Sequence, residues 1–375
     1  MVDTQRSFLG RDDVDNVEAI LADDSIDFGD VVHPTAARGE AIFTWDYERS
    51  RPGLAKLYEK AKTSQWNGST DLDWSTRVDP EHVALEMAPA AAMFQQRMAE
   101  LPGSPVAKWG PKEWTQFQVE ALNWRMSQFL HGEQGALICT AKIVTTTPWI
   151  DAKYYAATQV MDEARHVEVF SRYLDTKLEG HYPVNPALQL LIDDIIGDPR
   201  WDMTYMGMQI MVEGLALAAF GFMHHVTEEP LLKKLLRYVM ADEARHVAFG
   251  VLSLQEYYAG LSATELRERQ EFAFEAALRM RDRLMMHRVW ETMGVDRRTV
   301  TEFLLGMRRT RNNPFQAALF SKIVPNCKKL GLLDAGDGWL RDRFTEIGVI
   351  QFEDAADTGE EYETFDEVAK DRAAG

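Results

Sequence analysis

The chain of 375 residues is long enough for one large or two ordinary domains, and 46% apolar content supplies a sizeable core. Its 41 Lys and Arg against 59 Asp and Glu leave −18, a balance that argues against nucleic acid or an anionic membrane as partner. Two cysteines, Cys139 and Cys327, make neither a disulfide framework nor a C-x-x-C pair. No basic-then-apolar leader is visible, and the longest apolar run, Gly214 to Met223, is half a membrane span, so a cytoplasmic protein is expected.

Residues 1–110 read as an N-terminal arm and packing helices. The first 40 are rich in Asp, with one short amphipathic candidate at Val14–Leu21. Trp45, Tyr47, Tyr58, Trp66 and Trp74 follow among the turn signals Arg51-Pro52-Gly53 and Asn67-Gly68, a density that suggests packing against the main body. Asp79-Pro80-Glu81 then caps a helix to about Glu100, with proline at its first turn.

Residues 111–260 carry four long helical stretches. Gly110-Pro111-Lys112-Glu113 opens the first, and Thr145-Thr146-Thr147-Pro148 stops it. The second runs from about Asp151 to Gly180, and so short a turn makes the two antiparallel. Glu133 and Glu163 each stand 15 residues from Pro148. At 1.5 Å per residue both lie about 20 Å from the turn, so they come level. A linker with a short helix at Ala187–Ile196 leads to a third helix from about Trp201 that carries Glu213. Pro230 starts the fourth, which carries Glu243 and ends near Gly260; Glu213 and Glu243 come level in the same way.

Ser262-Ala263-Thr264-Glu265 has the form of a capping box. It predicts a long charged helix to about Met293, with Glu271, Glu275, Arg279 and Arg283 spaced by four. Residues 298–335 read as two shorter helices with Pro314 and Pro325 as breakers, residues 261–350 pack on the bundle, and 351–375 form an acidic tail. No strand alternation of any length occurs. The expected fold is all-α, a four-helix bundle with additional flanking helices.

The bundle is marked by a repeated pentapeptide. Asp162-Glu163-Ala164-Arg165-His166 recurs letter for letter as Asp242-Glu243-Ala244-Arg245-His246, and each copy has a glutamate 30 residues upstream of its own, Glu133 and Glu213. In a Glu-x-x-His pair the carboxylate and imidazole share one helix face, where both reach one metal ion. A single such pair is usually a solvated face. Two copies, each with an upstream Glu in an apolar stretch, supply the ligand set of a dimetal four-helix bundle. Four carboxylates and two imidazoles suit iron or manganese better than zinc or calcium. Asp162 and Asp242 stand where they accept the free ring N–H of a histidine on the partner helix, with Arg165 and Arg245 balancing them. Phe129, Ala136, Leu137, Leu217 and Phe220 lie a turn or two from the ligands and would line an apolar or aromatic substrate pocket.

These motifs resemble the ferritin-like di-iron carboxylate superfamily. The D-E-x-R-H form is especially similar to hydroxylase subunits of bacterial multicomponent monooxygenases and to acyl-carrier-protein desaturases. The resemblance implies that Glu133, Glu163 and His166 hold one side of the cluster, and Glu213, Glu243 and His246 the other. It implies reductive activation of O2 at two iron ions, with manganese–iron as the alternative pair. Ribonucleotide reductase small subunits place a radical tyrosine where Phe170 stands. Multicomponent monooxygenases place a threonine at Leu217, and arylamine N-oxygenases an extra histidine at Val239.

The expectation is a di-iron oxygenase that hydroxylates, epoxidises or N-oxygenates a largely apolar or aromatic small molecule. A desaturase-type oxidase and a ferroxidase are the alternatives. With no Gly-rich nucleotide loop or cysteine cluster, electrons would come from an external ferredoxin or flavin reductase. Arg297, Arg298, Arg308, Arg309 and Arg311 form the one basic concentration that could dock such a donor. A homodimer is compatible with the sequence.

Overall fold

The computed structural model describes residues 13–26, 31–86, 88–178, 180–308 and 314–356. Arg309, Arg311 and residues 357–375 of the acidic tail lie outside them. No strand occurs among the described residues, and the fold is all-α.

Four elements precede the bundle: α1 (Val17–Asp24), α2 (Pro52–Thr63), α3 (Pro80–Glu86) and α4 (Ala88–Glu100). Asp79 caps α3 by accepting from Glu81 N–H at 3.1 Å. Residues 33–50 run extended over the bundle end. Ile42 N–H donates to Thr145 O at 2.8 Å, Thr44 hydroxyl donates to Pro148 O at 2.7 Å, and Arg49 pairs with Asp151. The aromatics of this region divide. Trp66 is buried, but Trp45 and Tyr47 are 75% and 61% exposed, on a segment whose residues 41–50 are exposed apart from Thr44.

The bundle is α5 (Pro111–Thr146), α6 (Ile150–Tyr173), a third helix in pieces, and α10 (Pro230–Tyr258), with α7 (Pro186–Gly197) packed beside α5. Pro111 and Pro230 occupy first-turn positions where a missing N–H costs nothing. Glu229 caps α10 by accepting from Leu231 and Leu232 N–H at 2.9 and 2.6 Å. Gly135 lets α7 close on α5, since a Cβ there would stand 2.5 Å from Ile192 Cδ1.

The third helix is α8 (Trp201–Tyr205), a π-helical segment Met206–Val212, and α9 (Glu213–Val226). It is long and apolar enough to cross a membrane by length and composition, yet 78% of its apolar window is buried inside the bundle, as in a core helix. A π turn also ends α6, over Leu174–Leu178.

The C-terminal part departs from the sequence reading. Instead of one helix to Met293, α11 (Ala263–Asp282) gives way to a 3₁₀ turn Arg283–Met285 and then α12 (His287–Thr292). Met286 at the junction has φ 54° and ψ 44°, the one positive-φ non-glycine among the described residues. The break turns Trp290 back, so that its indole N–H donates to Met285 O at 2.9 Å. Its ring meets Phe117 and Trp109 at 4.5 and 5.7 Å in a second apolar cluster.

The two shorter helices are α13 (Arg297–Arg308) and α14 (Pro314–Lys329), with Pro314 opening the second, but Pro325 lies inside α14 rather than breaking it. A further helix, α15 (Trp339–Glu346), falls within the C-terminal stretch expected to be helical and packs against α11.

Candidate metal centre

The short α5–α6 connection brings Glu133 and Glu163 level, and the pairing of α9 with α10 does the same for Glu213 and Glu243. All six carboxylate and imidazole side chains of the repeated pattern meet at the bundle centre, each no more than 5% exposed. Ligand atoms of Glu133, Glu163, His166 and Glu243 lie within 4.8 Å of one another, and so do those of Glu163, Glu213 and His246. Glu163 therefore belongs to both groups, so the division is not simply one motif to each side. Glu243 also reaches both imidazoles, its Oε1 standing 3.2 Å from His166 Nδ1 and 3.6 Å from His246 Nδ1.

The imidazoles point Nδ1 inward and Nε2 outward, each toward the aspartate of the other motif. His166 Nε2 is 3.1 Å from Asp242 Oδ2, and His246 Nε2 is 3.4 Å from Asp162 Oδ2. Arg165 pairs with Asp162 and, at 3.1 Å, with Asp242; Arg245 pairs with Asp242. Three neighbours carry no sequence signal because they come from outside the pentapeptides. Trp66 donates its indole N–H to Asp242 Oδ2 at 2.7 Å, and Gln65 donates to Asp162 Oδ1 at 3.0 Å. Gln159, one turn before Glu163, donates to Glu163 Oε1 at 3.0 Å and Glu213 Oε1 at 2.8 Å.

Electrostatics divide the cluster. Burial and the neighbouring Glu243 carboxylate push the Glu133 carboxyl well above its ordinary range, and burial with Glu163 does the same to Glu213. Burial opposes ionisation of Glu163 too, but His246 and His166 hold it low. Both imidazoles are raised because surrounding carboxylates outweigh their burial. Several inward atoms have no hydrogen-bond partner: Glu163 Oε2, Glu213 Oε2, both Glu243 oxygens and His246 Nδ1. Buried polar atoms are almost always paired. Orphans that converge on one volume fit the residues to a pair of cations.

A pocket with free volume near 20 Å³, enough for a water-sized molecule, adjoins the carboxylates. Phe129 and Ala136 border it together with Gln128, Gly132, Val212, Ala216 and Arg283. Leu137 is half-buried away from it, and Leu217 and Phe220 are core residues that do not border it. Phe220 instead packs on Phe129 and Phe170 at 4.7 and 5.6 Å. Of the basic concentration, Arg297 is paired with Glu291 and Asp24, and Arg298 with Glu18.

No family model matches this chain, and neither does any curated protein. Solved structures do. An R2-like ligand-binding oxidase variant with an anaerobically reconstituted Mn/Fe cofactor aligns over 76% of this chain and 94% of its own, at 18% identity and a TM-score of 0.50. A variant carrying a non-activated Mn/Mn cofactor aligns over 76% and 93%, at 19% identity and a TM-score of 0.48. The chain thus shares its all-helical, ferritin-like bundle fold with an R2-like ligand-binding oxidase, and it carries a buried carboxylate–histidine cluster.

Proposed function

We propose that this protein is a dinuclear-metal oxidase that activates O2 and oxidises a small, largely apolar organic molecule. The observation that carries the reading is the convergence of four carboxylates and two imidazoles with unpartnered atoms facing one buried volume. Four carboxylates neutralise two divalent cations, and the oxygen-rich set favours iron or a manganese–iron pair. Such a pair supplies reductive O2 activation when bound. Asp162 and Asp242 hold the Nε2 protons so that each Nδ1 lone pair faces inward, and Gln159 orients Glu163 and Glu213. The Phe129–Phe170–Phe220 stack keeps water from one side. Hydroxylation or N-oxygenation is the favoured outcome, with electrons from an external ferredoxin or flavin reductase.

The test is metal analysis and Mössbauer spectroscopy of iron-loaded protein, reduced anaerobically and then mixed with O2. About two irons per chain in a magnetically coupled product, absent in Glu163→Ala, is expected. Mononuclear iron, or none, would end the oxidase reading. Heavy-oxygen labelling of the product then separates insertion from desaturation.

A further inference from the structure

The extended arm over the bundle end is fixed at both of its ends. Arg38 N–H donates to Ile196 O at 3.3 Å and Ile42 N–H to Thr145 O at 2.8 Å. Further on, Arg51 pairs with Glu256 at 3.0 Å and lies 4.1 Å over the Trp149 ring. Between these points the backbone groups of Phe43, Trp45 and Tyr47 make no hydrogen bond among the described residues. Successive residues of an extended chain turn their N–H and C=O to opposite edges. Ile42 turns its own to the bundle, so Phe43, Trp45 and Tyr47 offer theirs on the outer edge. Exposed edges are ordinarily blunted by proline or lysine, and neither occurs from Thr35 to Arg51. The three side chains are 74%, 75% and 61% exposed, and the Phe43 and Trp45 rings stack at 5.4 Å.

The sequence of the arm is complementary to itself in one register. An antiparallel pair centred on Thr44 sets Glu40 against Glu48, and one centred on Asp46 sets two Asp46 carboxylates together. Both oppose like charges, which destabilises a strand pair. Centred on Trp45, Phe43 faces Tyr47, Trp45 faces Trp45 and Glu48 faces Ile42, so no acidic residue opposes another. The same register makes Phe43, Trp45 and Tyr47 the hydrogen-bonded positions, which are the ones with outward backbone groups. Arg38, Arg49 and Arg51 balance Glu40, Asp46 and Glu48, so the stretch is neutral on a chain of −18. Two copies therefore meet here without the repulsion that the net charge imposes elsewhere. A lipid surface fits less well, because it would take in the Asp46 carboxylate with the rings on either side.

We propose that residues 43–47 pair antiparallel with the same residues of a second copy of this chain, centred on Trp45. Six rings bury on the order of 1,000 Å². That is the lower end of specific interfaces, so the dimer is reversible and depends on concentration.

The experiment is sedimentation velocity of the full-length protein over a concentration series, as wild type and Trp45→Glu, with Tm and metal content measured on both. Wild type is expected to pass from monomer to dimer, and Trp45→Glu to weaken association at least about tenfold. Tm and metal content should not change, because the Trp45 side chain is exposed. The register is read by mild oxidation of cysteine variants, with Cys139 and Cys327 buried and out of reach. Trp45→Cys sets two thiols opposite each other within disulfide range and should give a covalent dimer. Phe43→Cys, offset from its own copy by four residues or about 14 Å, should not. Monomer at every concentration would overturn the proposal. So would undiminished association of Trp45→Glu, which places the contact on another face, or equal cross-linking of the two cysteine variants. Monomers that bind phosphatidylcholine vesicles through Trp45 would overturn it in favour of a lipid surface.

Discussion

Asp242 serves four donors at once. Its Oδ2 accepts from the Trp66 indole at 2.7 Å, His166 Nε2 at 3.1 Å and Arg165 at 3.1 Å, while Oδ1 accepts from Arg245. Burial opposes its charge, but Arg245, His166 and Arg165 hold it well below the usual carboxylate range. An asparagine there keeps the shape and loses the charge that fixes the His166 ring. Asp242→Asn should therefore weaken metal binding by about 10- to 100-fold, read by chelator competition; unchanged affinity would show that His166 needs no orienting carboxylate. Gln159→Leu tests the ligand oxygens in the same assay, since it removes the one donor shared by Glu163 and Glu213. The aspartates were legible because they travel inside the repeated pentapeptide. Trp66, Gln159 and Arg283 were not, because a residue that reaches a site from a loop, a helix flank or a distant turn shares no spacing with the ligands.

At the scale of elements, helix periodicity located the bundle but missed its irregularities. Glu133 and Glu163 could be placed level from their equal distances to Pro148, because both helices keep a rise of 1.5 Å per residue. The π segment Met206–Val212 breaks that rule just before Glu213, and π-bulges concentrate at functional sites. A 3.6-residue pattern cannot reveal one in a stretch that is buried on every side. The break after Asp282 was hidden for a related reason. Glu271, Glu275, Arg279 and Arg283 read as charges spaced by four along one continuous helix, whereas Arg279 and Arg283 are buried and the helix breaks at Arg283. The π segment is seated against α10 at Gly250, where a Cβ would lie 2.5 Å from Gln209 Cβ. Gly250→Ala should force the two helices apart at a cost of about 1–3 kcal/mol. It should lower both the Tm and the metal occupancy, with the Glu213 ligand displaced. A variant that melts lower but binds two metals with wild-type affinity would separate the π segment from the site.

For the whole molecule, the cluster exchanges fold stability for a function supplied by bound cations. Without them the bundle buries four glutamates, two histidines and their arginine and aspartate partners, an arrangement less stable than an apolar core of equal volume. Cations that bind the folded chain and not the unfolded one repay this by mass action, about 2.7 kcal/mol per site at a hundredfold excess over Kd. The proton balance sets the sign of the pH dependence. Glu133, Glu213, His166 and His246 all have pKa values raised in the metal-free fold, which favours their protonated forms, whereas the imidazoles hold Glu163 low. Ligands bind only when deprotonated, so loading expels protons and affinity must fall as pH falls. Calorimetry in two buffers of different ionisation heat should detect net proton release at neutral pH. The metal-induced rise in Tm should shrink steadily from pH 8 toward pH 6, on the order of kcal/mol per released proton per unit. A rise in Tm that is flat or larger at the acid end would mean that the bound ions do not take these four groups as ligands.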